Sequence, residues 1–155
     1  MSNEQLITSF YSSFKKKDYQ GMQHCYADNA VFNDEVFKNL NGQEVKAMWE
    51  MLCKNGKGLK LTFGNVSETA TGAKAEWTAC YLFSRTGKMV VNNVKAKFEI
   101  ENGKIICHTD TFDFYVWAKQ AFGLTGFLLG WTPYFKNKVQ KTARENLAAF
   151  MAKKQ

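Results

Sequence analysis

The chain has 155 residues, of which 45% are hydrophobic and 15% aromatic, with one proline. That length and content fit a single domain over residues 1–155 with a filled core, and exclude a disordered or linker-rich chain. The net charge is +7 at pH 7, but no nucleic-acid motif accompanies it, so no nucleic-acid partner is expected.

Part of the excess lies near the end, where Lys136, Lys138, Lys141, Arg144, Lys153 and Lys154 face only Glu145. They read as the solvated face of a helix. Cys25, Cys53, Cys80 and Cys107 form no Cys-x-x-Cys pair and read as free thiols of a reducing compartment. The first residues lack the basic start and apolar run of a signal peptide, and no apolar run is long enough to span a bilayer. The expected location is cytoplasmic.

Residues 3–16 show a helical stripe of Leu6, Ile7, Phe10, Tyr11 and Phe14, with Ser2 or Asn3 as cap. Asp18 caps a second short helix reaching about Tyr26. Asp28-Asn29 reads as a turn, and residues 30–34 as a short strand on which Phe32 and Asp34 share a face. Residues 43–54 give a third helix, with Val45, Met48, Trp49 and Leu52 inward.

From Leu59 the period changes to two. Leu59, Leu61 and Phe63 share one face; Ala75, Trp77, Ala79, Tyr81 and Phe83 share another. In residues 89–101 the apolar parity is Val90, Val94, Ala96, Phe98 and Ile100, with Asn92 among them. Asn102-Gly103 then signals a tight hairpin. Residues 104–117 read as the last strand. Alternation there puts His108 and Asp110 on one face with Ile106, Phe112 and Phe114. An imidazole and a carboxylate on an apolar face are costly unless they pair or perform chemistry.

Residues 122–131 hold three glycines among large apolar groups. They suit a lid, a dimer contact or a membrane-surface anchor. Lid or interface is the favoured reading, and membrane contact is not expected. Thr132 and Pro133 start a final helix carrying Phe135, Val139, Ala143, Leu147, Phe150 and Met151 as its stripe. This order predicts an α+β fold: a cone-shaped roll in which a curved antiparallel sheet wraps the N-terminal helices, with an extra C-terminal helix.

The string from Asp18-Tyr19-Gln20-Gly21-Met22 through Tyr26-Ala27-Asp28-Asn29-Ala30-Val31-Phe32-Asn33-Asp34 resembles the second helix and first strand of the nuclear transport factor 2-like superfamily. That superfamily includes ketosteroid isomerase and the SnoaL-like polyketide cyclases. His108-Thr109-Asp110-Thr111-Phe112-Asp113, with Trp117 and Leu129-Gly130-Trp131-Thr132-Pro133, resembles a bacterial subgroup of it. The resemblance implies a pocketed cone, although many chemistries share that fold. It places Asp34 where ketosteroid isomerases keep their general base. It places His108, Asp110 and Phe112 on the pocket wall, where SnoaL-like cyclases have an acid and scytalone dehydratases a histidine. The isomerase oxyanion hole is not reproduced: Ala96 stands at its acid position, and Tyr11 lies one step aside from its tyrosine.

Asp34, His108 and Asp110 are therefore the candidate catalytic cluster. Tyr11, Trp49, Trp77, Tyr81, Asn92, Phe98 and Phe112 are candidate substrate-binding residues, or plain core. The chemistry expected is cofactor-free isomerisation, cyclisation or dehydration of a small, mostly apolar carbonyl or hydroxy compound. A non-catalytic ligand-binding module and a dimeric interaction domain are the alternatives. A metal is not expected, because His-x-Asp is too short a motif. A homodimer through the outer sheet face, including Lys95, Lys97 and Thr109, follows from the resemblance.

Overall fold

The structure is a computed structural model and describes residues 1–154. Its elements are α1 (Asn3–Lys15), α2 (Tyr19–His24), β1 (Tyr26–Asn33), α3 (Gly42–Asn55), β2 (Lys60–Glu68), β3 (Gly72–Phe83), β4 (Lys88–Glu101), β5 (Lys104–Thr111), α4 (Phe114–Phe122), α5 (Leu124–Leu129) and α6 (Pro133–Lys153). The five strands form a curved, unclosed sheet in the order β1-β5-β4-β3-β2. β1 runs parallel to β5, and the other neighbours are antiparallel. The expected α+β roll is the fold observed.

Local chemistry sets the helix starts. Ser2 and Gln5 form a reciprocal capping box on α1, and Asn41 and Glu44 form another on α3. Asp18, Asp113 and Thr132 cap α2, α4 and α6. The whole α1 stripe, Leu6, Ile7, Phe10, Tyr11 and Phe14, is buried. Each such side chain contributes roughly 1.5–3 kcal/mol on burial.

The β3 face expected from alternation is present: Ala73, Ala75 and Ala79 are buried and Trp77 packs against the core. Small alanines between large aromatics let the helices approach the sheet closely. At the start of β3 the fit is tighter still: a Cβ on Gly72 would lie 2.0 Å from the Phe98 carbonyl oxygen. Gly72→Ala must push β3 and β4 apart, so it is expected to cost about 3 kcal/mol or more in urea unfolding.

Several boundaries differ from the sequence reading. α2 ends at His24, and β1 already begins at Tyr26, so Asp28 and Asn29 are strand residues rather than a turn. Asp34 lies just past the end of β1, in the loop to α3. Leu52 sits at the edge of the α3 stripe and is 37% exposed.

β5 ends at Thr111, not near Trp117. Asp113 accepts from the Val116 amide and starts α4, whose Phe114, Trp117, Ala118 and Ala121 are buried at helical spacing. β5 also carries a bulge. Glu99 pairs with Cys107 but Ile100 with Ile105, so Ile106 is the extra residue. Ile105 is fully buried and takes the inward place expected of Ile106.

The C-terminal helices sit at one end of the sheet. A second apolar cluster forms there from Val90, Phe114, Trp117, Ala118, Ala121 and Phe135, joined by Val36, Tyr81, Phe83 and Phe112. α6 grips the loop after β1: Lys136 pairs with Glu35 at 2.7 Å, Gln140 donates to the Glu35 carbonyl at 3.0 Å, and Arg144 donates to the Lys38 carbonyl. Its far end returns to α3, where Lys154 and Lys54 both donate to buried Glu50. Burial alone would raise the Glu50 pKa, but these two ammonium groups hold it below the ordinary value. Among the described residues, no helix is long and apolar enough to cross a membrane.

Candidate functional site

β5 brings His108 and Asp110 to the inner face, as alternation predicts. His108 is fully buried and Asp110 is 3% exposed. Opposite them on β4 stand Phe98 and Ala96. On the other side β1 pairs Phe32 with His108.

His108 is held by a chain of hydrogen bonds. Trp49 Nε1 donates to the Tyr26 hydroxyl at 2.8 Å; that hydroxyl lies 2.7 Å from His108 Nδ1; His108 Nε2 lies 2.8 Å from Asp110 Oδ1. An indole N–H can only donate, so the Tyr26 oxygen accepts and its own proton passes to Nδ1. The network therefore assigns the remaining ring proton to Nε2, which donates to Asp110. Both ring nitrogens are engaged.

The imidazole is also enclosed by rings. Phe98 lies 4.2 Å away between centroids, Phe32 4.9 Å, Phe10 5.8 Å, and Trp49 and Tyr26 6.1 Å each.

Asp34 sits nearer the C-terminal helices. One carboxylate oxygen accepts from the Val36 amide at 2.7 Å and the Phe37 amide at 2.6 Å, and the Asp34 amide donates to the Phe37 carbonyl at 2.8 Å. Burial pushes its pKa up to about 7; the two amides and Lys38 pull it down, and the nearby Asp110 charge adds to the rise. Asp34 is not hydrogen-bonded to His108 or Asp110, so the three are not a bonded triad; the Asp110 charge acts on Asp34 through space.

The candidate binding residues divide into two layers. Tyr11, Trp49 and Phe98 are fully or almost fully buried in the larger cluster with His108, and Trp77 packs against it. Tyr81 and Phe112 belong to the second cluster, beneath α4 and α6. Tyr81 accepts from Trp117 Nε1 at 2.8 Å, which leaves its own proton free to donate. Burial raises the Tyr81 pKa, and the Asp34 charge adds to the effect. Asn92 is half-buried beside Ala79.

Among the described residues, two polar groups in the interior lack partners: the Tyr11 hydroxyl and Trp77 Nε1. Their rings lie 6.1 Å apart. Burial, with the Asp110 charge next, raises the Tyr11 pKa well above its usual value, so the hydroxyl keeps its proton. An unpaired buried donor costs about 1–3 kcal/mol. Each is a donor with spare hydrogen-bonding capacity in the interior.

Surface clefts lie elsewhere on the molecule. One runs along the outer side of α1, past Ser2, Gln5 and Ser9, and another lies between α2, α3 and α6 at Gln23, Lys46 and Glu50. Neither is lined by Asp34, His108 or Asp110.

Sequence reasoning missed Tyr26 as the second partner of His108. The available signal was chemical: a buried imidazole needs two partners, and Asp110 supplies one.

The SnoaL-like domain model matches residues 7–108, which is most of the chain and runs from α1 into β5. The protein belongs to the SnoaL-like domain family. That places it in the nuclear transport factor 2-like superfamily, as the local strings suggested. Solved structures share the fold of this SnoaL-like protein. A proposed polyketide cyclase from Pseudomonas putida KT2440 is 20% identical, with 77% of this chain and 98% of that chain covered and a TM-score of 0.65. A second proposed polyketide cyclase, from Silicibacter sp. TM1040, is 20% identical over 77% and 94%, with a TM-score of 0.67. An LEH-like epoxide hydrolase from M. tuberculosis is 18% identical over 82% and 95%, with a TM-score of 0.64. No curated protein matches the sequence. The family match stops at His108, so α4, α5 and α6 all lie beyond it.

Proposed function

We propose that this SnoaL-like protein is a cofactor-free acid–base enzyme, an isomerase, cyclase or dehydratase, acting on a small, mostly apolar carbonyl or hydroxy compound. The observation that carries the reading is the Asp34 carboxyl. Half-buried just past the end of β1, it is raised to about 7 by desolvation, with the nearby Asp110 carboxyl adding to the rise. A base of that pKa is half ionised at neutral pH, where general base catalysis is most effective.

Asp34 takes a proton from carbon next to a carbonyl. The bonding pair moves onto the carbonyl oxygen, which accepts hydrogen bonds from the Tyr11 hydroxyl and Trp77 Nε1. In an isomerase Asp34 returns the proton at another carbon; in a cyclase the enolate carbon bonds to a second carbonyl carbon of the same molecule and the proton goes to the new alkoxide; in a dehydratase the proton goes to a β-hydroxyl, which leaves as water. Asp110 is the second carboxyl, oriented by His108. Because rings enclose it, His108 acts in this reading as a positioning residue. The names of the fold neighbours, polyketide cyclase and epoxide hydrolase, are consistent with a small-molecule substrate.

A second reading is favoured by one observation: α4 and α6 cover the end of the cone nearest Asp34. It is a non-catalytic module, binding a small apolar ligand or pairing through the outer sheet face with Lys95 and Lys97.

A turnover screen against β-keto and hydroxy-cyclic compounds, paired with thermal-shift binding, separates the readings. The enzyme reading expects turnover that Asp34→Asn removes while binding persists. Equal turnover by Asp34→Asn overturns the assigned role. Ligand-induced stabilisation without turnover supports the binding module, and neither response supports the interaction domain.

A further inference from the structure

α5 is packed inside out. The side it turns inward is Gly126, and the next buried position is Gly130. A Cβ on Gly126 would fall 2.0 Å from the Ala118 carbonyl oxygen, and one on Gly130 would fall 2.8 Å from the Ala118 Cβ. The helix therefore lies against α4 along a glycine edge. Its large side chains face solvent: Leu124 is 72% exposed, Phe127 56%, Leu128 55% and Leu129 47%, followed by Trp131 at 69% and Tyr134 at 73%. An ordinary amphipathic helix does the reverse.

The patch is held in place. The Tyr115 hydroxyl donates to the Phe127 carbonyl at 2.8 Å, and Trp131 Nε1 donates to the Leu128 carbonyl at 3.0 Å. Six large apolar groups within eleven positions exceed the scattered exposure of ordinary surfaces.

The surroundings are mainly basic, Glu35 being paired with Lys136. No acidic residue occurs between Asp113 and Glu145. Lys119 and Lys138 flank the patch in sequence. Lys88 lies against Gly123, and Arg85 stands over the Phe122 ring, which immediately precedes α5.

We infer that α5, with Trp131 and Tyr134, docks this protein on an anionic phospholipid bilayer surface. The apolar side chains enter the boundary between headgroups and acyl chains, Trp131 and Tyr134 sit at headgroup level, and the lysines meet lipid phosphates. A second copy of the chain is the poorer occupant, because a two-fold contact through this patch sets the basic rim against itself. Membrane contact was not expected from the sequence because the α6 stripe can bury itself. α6 does bury Phe135 and Leu147, but α5 does not follow.

The test is co-sedimentation of the full chain with vesicles of phosphatidylcholine containing about one-third phosphatidylglycerol, against phosphatidylcholine alone. The expected result is binding at least roughly tenfold tighter to the anionic vesicles, weakening as salt rises. Phe127→Ser with Leu128→Ser, both at exposed positions, is expected to keep the circular dichroism of the parent and lose roughly tenfold or more in binding. Lys119→Gln with Lys138→Gln is expected to reduce the preference for anionic lipid. No binding to anionic vesicles overturns the inference, as does equal binding by the Phe127→Ser, Leu128→Ser variant. A parent dimer that this variant dissolves, with no vesicle binding, assigns the patch to a second copy instead.

Discussion

Asp34→Asn is expected to lower turnover by about 10²–10⁴-fold while making the protein more stable at pH 8. The rate effect is the usual contribution of a positioned general base. The stability effect follows from the raised pKa. The unfolded carboxyl ionises near 3.8 and the folded one near 7. Between those values the native state binds more protons than the unfolded chain, so stability falls as pH rises through that window and is level above it. Three units correspond to at most about 4 kcal/mol. Asp34 keeps some contact with solvent, so roughly 2 kcal/mol is the working figure.

The amide retains an oxygen to accept from Val36 and Phe37, and it carries no charge to desolvate. Thermal unfolding should therefore place Asp34→Asn about 4–8 °C above the parent at pH 8 and near it at pH 4. The parent pH–rate profile should rise with an inflection near 7. A variant that is neither more stable at pH 8 nor slower would show that Asp34 is an ordinary solvated carboxylate.

His108→Ala is expected to cost about 4–5 kcal/mol in urea unfolding. Three losses combine. A cavity opens among Phe10, Phe32, Trp49 and Phe98. The Tyr26 hydroxyl loses its acceptor, and Asp110 loses its donor. Domain stabilities are typically about 5–15 kcal/mol, so this change alone brings the chain close to unfolding. Asp110→Asn keeps an oxygen for His108 Nε2 and is expected to cost only about 1–2 kcal/mol. Equal costs for the two substitutions would mean that the carboxylate charge, rather than the filled ring position, holds this part of the core.

Much of this arrangement was legible in the sequence because its signals are local. Alternation along β3 and β4, the Asn102-Gly103 turn and the capping residues Ser2, Asn41 and Thr132 each act within a few positions. Both turn residues of Asn102-Gly103 have positive φ, as such a hairpin requires. Parity alone also brought His108 and Asp110 to the inner face.

What escaped depends on contacts between distant segments, or on breaks in a period. The bulge at Ile106 swaps the roles of two isoleucines, which no count of alternating residues detects. Phe112, Phe114 and Val116 continue the strand alternation, so they masked the helical spacing of Phe114, Trp117, Ala118 and Ala121. The Tyr26 hydrogen bond joins residues 82 positions apart. The raised pKa of Asp34 comes from its burial by distant segments, with Asp110 adding to it. Neither is visible in the residues beside it.

The strand order also determines when the protein can fold. β2 to β5 are consecutive neighbours, so each pairing closes a short loop and can form early. β1 has no partner until β5 exists, because the two pair on the far side of the sheet. During synthesis the N-terminal part emerges first and waits for most of the chain. Throughout that interval β1 lacks its strand partner, although α1 can already pack on α2, β2 and β3, and β1 on α3. The Tyr26–His108 bond closes a loop of 82 positions, so it forms late and acts as a latch on the finished roll. The β1–β5 pairing is thus the one strand contact that must wait for nearly the whole sheet to be made.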